Sequence, residues 1–153
     1  MKAIEKIGMR GFYHAQLIDK KTGKIVGDSG WMKNTVTNTG LNAIAGDSIG
    51  AAGSLQANYL AIGTGTDAIN ATATDLGGRE NVFNTLSPST IATGTARATA
   101  SFDGSDNSAT LTIGEIGLFN TDSAGSFIAG NTFTTSQMTT DQTLNATYEL
   151  RFS

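Results

Sequence analysis

The chain has 153 residues, no cysteine and a formal net charge of −3, with only 15% of its residues charged. That length is enough for one domain with its own core, and the missing thiols exclude disulfides, thiolate catalysis and cysteine-ligated zinc. The acidic balance argues against a nucleic-acid partner, which needs clustered Lys and Arg, and no apolar run approaches the ~20 residues that cross a bilayer.

In chain order, residues 1–7 lack the continuous apolar stretch of a secretory leader, so synthesis in a cytoplasm is expected. Residues 11–18 alternate as a strand, with Tyr13, Ala15 and Leu17 on one face and His14 and Gln16 on the other. A loop at 19–24 returns the chain, Gly23 supplying the turn, toward Ile25, Val26, Trp31 and Met32. A hairpin of that size buries too little to stand alone. Residues 1–32 are therefore expected to form an N-terminal β-hairpin arm, packed on or projecting from a body at 33–153. Tyr13, Leu17, Ile25, Trp31 and Met32 are the candidate interface residues of that arm.

Residues 33–45 predict a short helix capped by Thr37, Asn38 or Thr39, with Leu41, Ile44 and Ala45 on one face. A glycine-rich connection follows at 46–54. A strand at 59–62 ends in a turn at 63–67, and a polar stretch leads to a short apolar run at 82–86. Residues 95–102 alternate cleanly, Ala96, Ala98, Ala100 and Phe102 facing inward. Asp103, Asp106 and Asn107 share the next loop and could offer oxygens to Ca²⁺. Their spacing does not match an EF-hand, and such residues are ordinary turn formers.

The most informative stretch is 109–120, A-T-L-T-I-G-E-I-G-L-F-N. Leu111 and Ile113 occupy odd positions, whereas Ile116 and Leu118 occupy even ones. A one-residue slip in a period-two pattern turns the buried set to water unless a bulge absorbs it, and Gly114 and Gly117 can accommodate one. Glu115 is an acid in an otherwise apolar strand, and a buried carboxylate must be paired or hydrogen-bonded. Arg79, Arg97 and Arg151 are its candidate ion-pair partners, with the amides of the bulge as the alternative. Residues 126–133 form the return strand. Residues 144–152 then alternate Leu144, Ala146, Tyr148, Leu150 and Phe152 against polar neighbours.

Many short strands, close turns and one minor helix predict an all-β fold, an antiparallel β-sandwich of jelly-roll-like form, single-domain overall. Chemistry is sparse. His14 is the lone histidine, and the G-T-G-T at 63–66 lacks the Gly-Lys-Ser/Thr of a phosphate loop. No catalytic set, cofactor or metal site is expected, and the chain is read as a non-enzyme.

Four stretches carry a resemblance. They are N-T-V-T-N-T-G-L at 34–41, Y-L-A-I-G-T-G at 59–65, L-G-G-R-E at 76–80 and I-G-E-I-G-L-F at 113–119. In this order they resemble small virion proteins of tailed bacteriophages, over about residues 33–152. The resemblance implies a virion location and a capsid decoration (cement) protein that joins capsomers on the outer shell, commonly as a trimer. The implied partners are further copies of itself and the major capsid protein. A tail, baseplate or fibre-associated protein is the alternative. A carbohydrate-binding sandwich is a further one, and it would want aromatic rings exposed on a strand face. One tryptophan and three tyrosines make that supply thin.

Overall fold

The period-two stretches pair into two antiparallel sheets, each with one face against the other. The computed structural model describes residues 8–50, 56–107 and 109–153. The strands are β1 (Met9–Asp19), β2 (Ile25–Lys33), β3 (Thr35–Val36), β4 (Tyr59–Gly63) and β5 (Arg79–Thr85). Then come β6 (Ser87–Ala92), β7 (Thr95–Asp103), β8 (Leu111–Phe119), β9 (Phe127–Met138) and β10 (Gln142–Phe152). The first sheet runs β2-β1-β10-β7-β6 and the second β3-β9-β8-β4-β5. Tyr13, Leu17, Phe102, Leu144 and Tyr148 of the first sheet meet Leu60, Ile62, Ile113, Ile116 and Leu118 of the second in one buried cluster. The fold is an all-β sandwich with one helix.

The first hairpin is not an arm. β1 lies inside the first sheet, paired with β10 from Met9↔Phe152 to Asp19↔Gln142 and with β2 on its other side. Pairing with the C-terminal strand aims the odd residues of β1 inward. Tyr13 and Leu17 are therefore core residues, at 0% and 5% exposure, and not interface residues. The Tyr13 hydroxyl donates to the Ala129 carbonyl across the sandwich at 3.1 Å. Met32 is half-buried against the same core, while Ile25 and Trp31 stay exposed on the edge strand.

Helix α1 (Asn38–Ile49) starts later than the apolar pattern implied, because residues 33–36 complete β2 and form β3. Thr37 is the cap. Its oxygen accepts from the Gly40 amide at 3.1 Å, its hydroxyl donates to the Phe127 carbonyl at 2.7 Å, and the residue is wholly buried. The docked face also differs from expectation. Gly40 and Ala43 are buried, whereas Leu41 is exposed, as is Ala45. Any side chain at Gly40 would strike the Ile128 carbonyl, so the helix rests on β9 almost backbone to backbone. The helix ends at Gly50 in the left-handed conformation, at φ 64°. Of the expected glycine-rich connection, 46–49 is helix and 51–54 lies outside the described residues.

The strand register shifts where the apolar phase slips, with the extra residues on β9 and not on β8. Ile113 pairs with Ser136 but Glu115 with Thr132, so Gly114 faces three residues, Phe133–Thr135, on β9. Ile113 before it and Ile116 and Leu118 after it all reach the inter-sheet core. The intervening side chains of β8 point to the outer face, which residues 64–78 cover. There Ala61, Leu76, Phe119 and Phe127 form a second buried cluster, flanked by Tyr59, Ile69, Ala73 and Phe83. The second sheet is covered on both sides, so β8 is buried without interruption from Ile113 to Phe119.

Candidate functional site

Glu115 faces the underside of the covering loop at 1% exposure. One carboxylate oxygen accepts from the Gly65 amide at 3.1 Å and the Gly78 amide at 2.6 Å, and the other from the Gly77 amide at 3.0 Å. Two of the three donors, Gly65 and Gly78, are glycines for a steric reason. A methyl at Gly65 would lie 2.7 Å from the carboxylate atoms, and one at Gly78 2.8 Å from the Gly65 nitrogen. Gly63, on β4 opposite Glu115, likewise leaves room for the carboxylate. Gly114 lies so close to the Gly65 carbonyl that an added methyl would sit 2.5 Å from it. Gly117 does the same for the rings of Phe127 and Phe119.

The ion pairs proposed for Glu115 do not form. Arg97 and Arg151 belong to the first sheet and hold Glu149 instead, and Arg79 bonds Asp75 at 2.7 Å. Neutral backbone dipoles, convergent on one side chain, replace a counter-charge. The cluster is a clasp that ties residues 65 and 77–78 to the sheet; its carboxylate has no open side that a substrate could reach.

The outer face of the first sheet is where exposed chemistry collects. Glu149 lies there at 2% exposure between Phe12 on β1 and Arg97 on β7, its direct cross-strand neighbours. Arg97 donates to one of its oxygens from Nη2 at 2.7 Å and from Nε at 3.1 Å, and Arg151 donates to the other. Each guanidinium also lies over a ring: Arg97 is 5.8 Å from the centre of Trp31 and Arg151 4.6 Å from that of Phe12. Burial pushes the Glu149 carboxyl up, but the two arginines outweigh it and hold it below the usual range.

Beside this cluster His14 touches Trp31, ring centres 5.1 Å apart, and bonds Asp28 at 2.7 Å. Sequence spacing gave His14 no acid; the β1–β2 pairing supplies one. Hydrogen bonds from Gln16, the Gly30 amide and His14 bring Asp28 down to about 2. The neighbouring Ser29 hydroxyl donates to the Gly30 carbonyl and accepts from the Ala15 amide, so it completes no triad with them. The Asp103 loop is a capped turn. Asp103 accepts from Ser105 at its amide and hydroxyl and from Lys20, and no group of three metal-ligating side chains occurs among the described residues.

No protein-family model matches the chain, and no curated protein matches it.

Proposed function

We propose that the chain is a structural subunit of a tailed-phage virion, a capsid decoration (cement) protein that binds the outer shell and stabilises capsomer junctions as a homo-oligomer. The observation that carries this reading is the open edge of the first sheet. β2 pairs on one side only, and along it Ile25 and Val26 are each 54% exposed and Trp31 45%. An edge strand with unpaired amides and apolar side chains is a template for strand addition by a neighbour. The motif resemblance at 34–41, 59–65, 76–80 and 113–119 supports the virion assignment, and the dense internal hydrogen bonding suits a part that bears load.

Two measurements test it. Electron-microscopic imaging of particles carrying the protein should place it on the shell between capsomers; density on the tail instead would overturn the capsid assignment. Sedimentation should give a trimer that Ile25→Asp shifts toward monomer. A monomeric wild type would remove the edge-pairing argument.

A further inference from the structure

Around Phe12 the outer face of the first sheet gathers four cations and the buried Glu149, on a protein whose total charge is negative; the other acid of this face, Asp28, lies at its far end, bonded to His14 and Gln16. Arg10, Phe12 and His14 share that face by alternation along β1. Lys33 and Trp31 stand directly opposite Phe12 and His14 on β2, and Glu149, Arg151 and Arg97 follow on β10 and β7. From Lys33 to Arg97 the patch spans three strand spacings, about 14 Å.

Two of the cations are committed to Glu149. Arg10 and Lys33 have no acidic partner among the described residues. Arg10 also sits directly opposite Arg151, a like-charge cross-strand pair that costs stability in the free protein. An anion placed between them would relieve that repulsion. The patch also presents the half-exposed indole of Trp31 and, one row along, Gln16, Asn145 and Ser101, whose remaining hydrogen-bonding capacity faces outward beside their bonds to Asp28 and to each other.

We propose that this face binds an acidic polysaccharide. Its carboxylates would sit at Arg10, Lys33 and the outward edge of Arg151, a pyranose C–H face on Trp31, and sugar hydroxyls along Gln16 and Asn145. The combination selects this class. A neutral glycan has no use for unpaired cations, and an acidic peptide has none for the exposed indole. Nucleic acid carries a denser line of phosphate charge than two unpaired cations can match. The inference does not rest on the virion reading, although Trp31 belongs to both the sheet face and the β2 edge.

The test is titration calorimetry of the intact protein with polygalacturonate, with dextran, polyglutamate and a single-stranded oligonucleotide as comparisons. Polygalacturonate should bind in a salt-dependent way and dextran should not. Arg10→Ala and Lys33→Ala should each weaken binding ~10-fold, Trp31→Ala about as much, and Lys24→Ala at the far hairpin turn not at all. The Arg10 and Lys33 side chains bond nothing described, so Lys33→Ala should melt like the wild type and Arg10→Ala at or slightly above it, and a loss of binding in either cannot come from unfolding. Failure of polygalacturonate to bind overturns the proposal. So does tighter binding of polyglutamate or the oligonucleotide with Trp31→Ala silent, which would hand the face to an acidic polypeptide or a nucleic acid.

Discussion

Glu115 and Glu149 are both buried carboxylates on the outward face of a strand, and they are kept in opposite ways. Glu115 has three neutral glycine amides, and Glu149 has two arginines, each backed by an aromatic ring. The first arrangement needs a particular backbone and carries no compensating charge, so it organises a loop. The second needs only long side chains reaching across strands. Its guanidiniums stay partly exposed, at 38% and 48%, and remain available at the surface. One buried acid serves folding, and the other shapes an exposed patch.

The comparison breaks most sharply at Glu115→Ala, which orphans three amides under the covering loop. It should lower unfolding free energy by about 3–5 kcal/mol in urea titration. A loss below about 1 kcal/mol would mean that water replaces the carboxylate and the clasp does little. Gly65→Ala comes next, at about 2 kcal/mol, because the new methyl strikes the Glu115 carboxylate. In the Glu115→Ala background that clash has no target, and the penalty should nearly vanish. Additive losses would mean the strain lies in the backbone.

Glu149→Gln should cost less, about 1–2 kcal/mol, since both arginines can rehydrate. Its signature lies in pH. The folded carboxyl sits below the ordinary glutamate value near ~4.3, so its contribution is complete above that value. It disappears as pH falls through the lower, folded value. The wild type should lose stability there and Glu149→Gln should show a flatter acid limb, read from melting temperatures.

The alkaline side is the control, because Glu149 stays ionised there. Burial pushes the Tyr148 phenol up to about 12 and that of Tyr13 well above the usual value. Stability present below the ordinary tyrosine value of about 10 should therefore be lost as pH rises toward the folded ones. Tyrosinate absorbance from these two rings should appear together with unfolding. Tyr13→Phe leaves the Ala129 carbonyl without its donor and should cost about 1 kcal/mol, the smallest effect of the set.

Period-two strands were legible where one face alone is buried. β7 and β10 stand within a residue or two of their expected bounds, and the slip at Gly114 coincides with a register shift whose extra residues lie on β9, which the β8 pattern alone does not show. The fate of β1 was not legible. Whether Tyr13 and Leu17 face a core or a neighbour depends on β10, some 130 residues away, and local spacing holds no trace of that pairing. Helix α1 misled for another reason. Close docking on β9 puts Gly40 and Ala43 inward, so the small residues and not the large ones mark the buried side. β6 is exposed along its whole length and has no inside to alternate with. The partners of Glu115 are backbone groups, and their only side-chain signature is the glycine pattern at 63, 65, 77 and 78.

That pattern bears on how the surface can change. Because one carboxylate grips both ends of the 65–78 segment, the exposed stretch at 66–68 can be lengthened while the anchorage stays put, whereas 70–72 is itself tied to the start of the helix through the Ala71 carbonyl. Each doubling of such a span costs only ~0.6 kcal/mol of closure entropy. A new epitope or affinity peptide spliced there would leave the sandwich beneath it intact, which makes this clamped segment the natural place for grafting.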